Sequence, residues 1–469
     1  MSDIKLALDQ IIDKRDRYMV AEAYYEGAND EVFTHQRWYR LFRNEKTRFS
    51  GVTPFRFNFS KTVVDAVHNR LEIEQVETTS PEGDAYINKI WDQTDLRLDI
   101  NEIHRNALVY GDCYAIVWPD MNGNLAIDYN SPMTTTLVYD QENPRIKSFA
   151  TKMWQITDAA NRKVIKINMY YTDRIEKYEG LGELDSLNGL PNLTLIETVV
   201  NPWGEIPVFH FRTNKPYGRP EHADAFGPQD AINKLISTHM MTVDYQGAPQ
   251  RYALSNGGTS SEIDDFTEDD TARENIGALQ NGPGQLWYLQ GVQSVGQFPA
   301  ADPSTFTNPV NEFVSDMAAI TSTPVHYFSS TQYLPSGQAL RVAEAPLFKK
   351  VLNRQLALGS TWRDLFKFML KIEGIVAEVE IDWKSPESID SLDQWDIAVR
   401  KKSVGVPLEQ ILLELGYDPE IAKIIADKAI ANTADNANST EVALRGTGLN
   451  TNNLALQQVA AEQQDNTGA

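Results

Sequence analysis

The spacing of apolar and polar positions divides the chain into blocks of different period. In residues 3–24, Ile4, Leu8, Ile11, Ile12 and Met19 recur near every 3.6 residues, which predicts an amphipathic helix. Ser60 stands where it could cap a second helix, with Val63, Val64, Val67 and Leu71 on one face. Two further helices are expected over roughly 82–92 and 97–110, the second stopped by Gly111. The period then shortens. Cys113–Trp118 is a short apolar run, Asn122-Gly123 is a strong hairpin signal, and LAIDY follows it. TTLVYD, RIKSFATKMW, KVIKINMYYT, TLIETVV and IPVFHFR continue the strand-like series. A mostly antiparallel sheet is therefore expected over 112–212, and an α+β region over the first 212 residues.

The helical period returns at Pro228. Ile232, Leu235, Ile236, Met240 and Val243 form one stripe, ended by Gly247 and Pro249. Two strand-like pieces, QRYALS and GQLWYLQ, flank a polar stretch, and another helix starts at Asn308-Pro309 with Val310, Phe313, Val314 and Met317. Residues 228–321 thus read as helix, small strand insert, helix. Residues 322–340 lack a clean period and hold two prolines and a glycine, which predicts a long loop. A long helix to about Ile372 follows, with Leu352, Leu356, Trp362, Leu365, Phe366 and Met369 expected inward. VAEVEIDW reads as a strand. Three short helices come next: one with Trp395 and Val399, one from Pro407 to near Gly416, and one carrying Ile421, Ile424 and Ile425. After about Asn432 the chain is rich in Asn, Thr, Gln and Ala, and a mobile tail is expected.

Composition narrows the function more than it specifies it. The 469 residues suggest several domains, and the apolar fraction of 42% is ordinary for a globular core. No run of apolar residues is long enough to cross a bilayer. The N-terminus has no signal-peptide pattern, so a cytosolic product is expected. The formal charge of −22 argues against a tight grip on nucleic acid, which needs a basic patch to displace counterions. It is compatible with a surface along which DNA slides.

Candidate chemistry is sparse. The single cysteine, Cys113, lies in an apolar run and reads as a core thiol rather than a nucleophile. The seven histidines make no HExxH pair and no metal-ligand spacing with Cys113; His68 and His104 read as partly buried helix residues. There is no phosphate-binding GxxxxGK[ST] loop and no GxSxG elbow. The acidic run Glu262–Asp270 lacks calcium-loop spacing and reads as a solvated loop. Lys349, Lys350, Arg354, Arg363, Lys367 and Lys371 recur along one predicted helix. They could face DNA, line the solvent side, or pair with acidic neighbours in the next subunit of an assembly. Tyr327, Phe328 and Tyr333 could anchor the long loop or face a channel.

The order of elements resembles the portal family of tailed bacteriophages, in particular the siphophage type of phages of Gram-positive bacteria. The resemblance runs over about 1–430 and rests on NFSKTVVDAVHNRL, NALVYGDCYAIVWPDMNG, GEIPVFHFR, DAINKLISTHMMTVDYQGAPQRYAL, PVHYFSSTQYLPSGQALRVAEAPL and GVPLEQILLELGYDPE, in that order. It implies an α+β portal fold with an α+β wing at 1–227, a stem helix at 228–248 and a small β-containing clip at 249–304. A second stem helix at 305–321, a tunnel loop at 322–340 and a long wing helix and strand at 341–388 follow. An α-helical crown at 389–431 and a flexible tail at 432–469 complete the chain.

The resemblance also implies a homo-oligomeric ring, twelve subunits at one capsid vertex, through which viral double-stranded DNA passes inward at packaging and outward at infection. The implied partners are the terminase large subunit, a head-completion or adaptor protein, and the major capsid and scaffolding proteins, with no membrane and no cofactor. Localisation would be the virion, and the host cytoplasm during assembly. Ser329, Ser330, Thr331, Gln332, Tyr333, Ser336 and Gln338 are the implied channel-lining residues. Two other readings stay open: another ring-forming head–tail connector, and an acidic hydrolase using scattered carboxylates.

Overall fold

The computed structural model describes residues 2–28, 57–119, 125–184, 193–247, 251–255, 292–297, 304–328, 337–387, 391–415, 417, 419 and 421–429. It divides into two units, Met1–Pro386 and Glu387–Ala469. The first unit opens with helix α1 (Ser2–Glu26), followed by α2 (Phe59–His68), strand β1 (Ile73–Thr78), α3 (Pro81–Gln93) and α4 (Leu96–Tyr110). The cap of α2 is Asn58, whose side chain accepts from the Lys61 amide. Ser60 is buried two residues further in, and Gln229 accepts from its amide. Helix α4 stops at Gly111 with φ 85°, a left-handed conformation that glycine adopts without strain.

Where a single sheet was expected, the chain builds two. Strands β2 (Asp112–Pro119), β3 (Leu125–Asn130) and, from further along, β9 (Val208–Arg212) pair in the order β3-β2-β9. Pro119 stands opposite Leu125, one position off the register of a two-residue turn at Asn122-Gly123, and those turn residues lie outside the described ones. Between β3 and β9 runs a five-stranded antiparallel meander of β4 (Thr135–Tyr139), β5 (Lys147–Thr157), β6 (Lys163–Tyr170), β7 (Arg174–Leu181) and β8 (Leu193–Val200). Strand β7 was not evident from the sequence, because Arg174–Leu181 alternates weakly and exposes polar side chains.

Helix α1 joins these parts. Ile4, Leu8 and Ile11 pack on Phe149, Met153, Ile165 and Ile167 of the meander. Ile12 and Met19, expected on the same stripe, point to solvent instead. Two helical turns past Ile11, Tyr18 takes up the packing against Tyr110 of α4, edge to face at 6.0 Å.

Helices α5 (Phe226–Gly247) and α6 (Ser304–Thr321) pack through Ile232, Ile236, Val310, Val314 and Met317. Between them β10 (Arg251–Ser255) pairs antiparallel with β11 (Val292–Gln297). GQLWYLQ and the acidic run Glu262–Asp270 lie outside the described residues. Helix α7 (Gly337–Ile372) then runs back through the body, and β12 (Val379–Trp383) pairs with β1. The buried face of α7 carries Leu347, Val351, Leu358, Trp362, Leu365, Phe366 and Met369. Leu352 and Leu356, expected inward, are outward; Leu356 is 75% exposed. Trp362 donates Nε1–H to His104 Nε2 at 2.8 Å, and the other ring nitrogen of His104 bonds the Leu71 carbonyl. His104 is fully buried, and burial pushes its pKa down to about 3, so the imidazole is neutral.

In the second unit, α8 (Ser391–Ser403) and α9 (Leu408–Glu414) are linked by a Lys401–Glu414 ion pair. A further helical stretch covers 421–429, where Ala422 and Ala426 are buried while Ile421 and Ile424 are exposed.

A buried polar cluster ties α1 to the small sheet. The Asp112 carboxylate accepts from Tyr18 Oη at 2.7 Å, His210 Nε2 at 2.9 Å, Arg17 at 3.2 Å and the Gly218 amide at 2.5 Å. Tyr139 Oη lies 2.9 Å from His210 Nδ1, which requires a neutral ring if the phenol donates. Burial, the larger influence on His210, holds its pKa below the usual histidine range. Burial alone would raise the Asp112 pKa, but the bonds from His210, Gly218 and Tyr18 outweigh it and leave it at about 2. A carboxylate depressed in this way stabilises the fold above its unfolded pKa, near 4, and loses that contribution as pH falls toward 2. Asp112→Asn should therefore cost about 2–3 kcal/mol at neutral pH, and the loss should shrink on acidification through that window. Denaturant unfolding of both proteins across the pH range measures this.

Candidate functional site

Two ionic clusters converge where α6, α7 and the segment leading into α5 meet. The segment 213–221 crosses α4's end at van der Waals distance. A Cβ on Gly218 would lie 1.7 Å from the Gly111 carbonyl oxygen, so only glycine permits the crossing. The Thr213 amide bonds Gly111 O at 2.9 Å, and the Glu221 amide bonds Leu108 O at 2.9 Å. Delivered in this way, the Glu221 side chain is 2% exposed and meets two cations of α7: Lys350 Nζ at 2.8 Å and Arg354 Nε at 2.6 Å. Arg354 also donates to Thr213 O at 2.7 Å. Lys350 donates to Thr321 O at 2.9 Å, placing a positive charge on the exposed carbonyl end of α6. Burial would raise the Glu221 pKa, yet the two cations hold it below the ordinary glutamate range.

The second cluster sits at the base of the long loop. Glu344, on α7, lies 3.3 Å from Arg70 Nη2 and 3.3 Å from His326 Nε2, and accepts from Tyr327 Oη at 3.4 Å. Arg70 also donates to the Tyr327 hydroxyl. Burial raises the Tyr327 pKa, so the phenol stays protonated and can donate while accepting. Phe328 packs edge to face on Phe59 at 5.8 Å, beside Val63, Val314 and Met317. Arg70 in turn bonds the Pro386 carbonyl through Nε. Tyr327 and Phe328 are thus anchors of the loop's first end, and Glu344 holds the same anchor from the helix that follows.

The structure narrows the loop itself. Residues 325–327 form a short 3-10 turn, and α7 begins at Gly337, so Gln338 stands in a helical first turn rather than in a loop. Ser329, Ser330, Thr331, Gln332, Tyr333 and Ser336 lie outside the described residues. Of the six basic residues singled out along α7, four are paired with carboxylates of the same chain. Lys350 and Arg354 are committed to Glu221, Lys367 pairs with Glu378, and Lys371 with Glu205. Lys349 and Arg363 are exposed. Cys113 is fully buried, and burial pushes its thiol pKa well up, as for an inert core sulfur. Among the described residues, no three His, Cys, Asp or Glu side chains gather as metal ligands. Arg70, Glu221 and Glu344 went unremarked in the sequence because their partners are 129 or more positions away for Glu221 and 257 away for Arg70's bond to Tyr327.

The class that this architecture defines is a multi-element α+β subunit with a helix pair, a β-paired insert and an anchored loop. The comparisons with known proteins make it specific. The model of the family described as "Phage portal protein, SPP1 Gp6-like" matches residues 5–465, and the chain belongs to that family. It is 23% identical over 423 residues to a portal protein of Mycobacterium phage L5, covering 84% of each chain. It is 22% identical over 387 residues to a portal protein of Mycobacterium phage D29, covering 76% of each. Among solved structures it is similar to chains from the neck of an empty gene transfer agent (GTA) particle computed with C6 symmetry, with TM-score 0.45 and 12% identity. That match covers 77% of this chain and 89% of the other. A chain from the virion of a native GTA particle matches with TM-score 0.42 and 11% identity over the same shares.

Removing the charge of Glu221 leaves Lys350 and Arg354 without their counter-ion in a buried joint. Glu221→Gln should lower stability by about 3 kcal/mol, measured by denaturant or thermal unfolding. Glu344→Ala should leave the body folded and loosen only the anchor. Amide exchange at Tyr327 and Phe328 should then rise about tenfold, whereas exchange within α4 stays unchanged. Equal protection at 327–328 in both proteins would remove Glu344 from the anchor.

Proposed function

We propose that the chain is a structural portal subunit and not an enzyme, and that copies of it close into a ring, twelve in number, at one vertex of the capsid. The observation that carries this reading is the family match from residue 5 to 465, which spans every described element. In this reading residues 1–227 and 341–388 make the wing, α5 and α6 the stem, and the β10–β11 insert the clip. The segment 322–340 narrows the channel, and 389–431 form the crown. A ring of identical chains is built from one heterologous contact repeated by rotation. Exposed apolar residues support such a contact: Phe313 and Ile320 on α6, and Val342 and Leu356 on α7.

Double-stranded DNA passes through the ring inward during packaging and outward at infection. The net charge of −22 and the internal pairing of four α7 cations both favour weak, easily broken contact with phosphate. Ser329, Ser330, Thr331, Gln332, Tyr333 and Ser336, with Gln338 at the helix start, are the residues we assign to the channel wall. The terminase large subunit docks on the ring during packaging, and a head-completion or adaptor protein takes its place afterwards. Major capsid and scaffolding proteins surround it, in the host cytoplasm during assembly and in the virion thereafter.

Single-particle imaging of the purified protein should show closed rings with a hole wide enough for duplex DNA. Deleting part of 329–336 should leave those rings intact and reduce DNA packaged or retained in particles. Rings that fail to form in this deletion, or particles that package normally, would each contradict the assignment of the loop.

A further inference from the structure

Away from the loop base, β5, β9 and α7 line an open cavity of about 470 Å³. Its walls include the aromatic faces of Phe209 and Phe368, the cations Arg145, Lys147, Lys367 and Lys371, and the carboxylates Glu205 and Asp364. The cations outnumber the carboxylates. Lys371 is paired with Glu205, and Lys367, also in the wall, is paired with Glu378. Lys147 donates to the Val208 carbonyl at 3.0 Å and lies over the Phe209 ring at 4.5 Å, but it touches no carboxylate. Asp364 and Glu205 act on it only through space. Arg145 is exposed, and among the described residues its guanidinium meets no carboxylate within ion-pair distance. A lysine and an arginine without direct counter-ions therefore face one concave space in a chain that is acidic overall.

We propose that this cavity binds an anionic group, a carboxylate or phosphate, held by Lys147 and Arg145 and flanked by the rings of Phe209 and Phe368. Lys147 has two ammonium protons left after its bond to Val208, and Arg145 offers a planar fork that suits either anion. The aromatic faces would cover an apolar stem attached to the anion. Burial holds the Lys147 amine down to about 8 although Asp364 and Glu205 pull it back up, and a bound anion would raise it further. The anion could arrive as a free small ion or as an acidic side chain of another protein, and the two are separable by experiment.

The test is protection of Lys147 in the intact chain from reductive methylation, read by mass spectrometry against Lys61 and Lys401 as internal references. Inorganic phosphate forms one arm, and an acetylated, amidated glutamate peptide the other. Binding should slow methylation of Lys147 by about tenfold or more at saturation, with the reference lysines unchanged. Arg145→Ala, a change at an exposed position, should abolish most of that protection without altering the unfolding midpoint. Protection by phosphate identifies a free-anion site, and protection by the peptide alone identifies a site for an acidic side chain. No selective protection in either arm, or full protection in Arg145→Ala, overturns the proposal.

Discussion

The Glu221 carboxylate, buried between Lys350 and Arg354, is the interaction on which the arrangement of the first unit turns. Each of its contacts belongs to a different part of the chain. Its own amide is fixed to α4, its cations sit on α7, and one of those cations closes the C-terminal end of α6. Five residues later α5 begins. A single misplaced charge here would therefore disturb the start of α5 and the end of α6. Two cations on one carboxylate offset the cost of desolvation better than one, provided the geometry is good. The Gly218–Gly111 crossing supplies that geometry, since any larger residue at 218 would lift the segment and carry Glu221 away from α7.

Much of the helical skeleton was readable from local chemistry. Gly111 ended α4 because a left-handed residue is needed there, and the stripe from Ile232 to Ile236 faced α6 as its spacing required. Other features were not readable for equally physical reasons. Helix α7 passes through the middle of the body and is buried on several sides in its second half. Its true inward face is consequently Leu347, Val351 and Leu358, and Leu352 and Leu356 fall outside it. Strand β1 reads as polar because only Ile73 and Val76 are buried, and its identity depends on pairing with β12 some 300 residues later. The ionic joints carry no local pattern. Nothing near Glu344 in sequence indicates Arg70, and nothing near Glu221 indicates Arg354. Tyr327 and Phe328 stood out as aromatics in a polar loop, and folding resolved their role in favour of anchoring.

The use of positive charge follows from the same joints. In a chain with 43 basic and 65 acidic residues, cations are the scarcer resource. Along α7, Lys350 and Arg354 are spent on the buried Glu221 and on backbone carbonyls, while Lys367 and Lys371 pair with exposed carboxylates. The buried clusters around Asp112 and His104 work similarly. They are satisfied by hydrogen bonds within the fold.

The Arg70 guanidinium has a consequence of its own. It meets the Tyr327 hydroxyl, the Glu344 carboxylate and the Pro386 carbonyl, three groups from three distant parts of the chain. Each group alone is compatible with several placements of its segment, but only one placement lets a single planar cation reach all three. Arg70 thus acts as a gauge: it sets the end of the 325–327 turn, the first half of α7 and the exit from β12 against one another, and a shorter or unforked side chain there would leave the three free to drift apart.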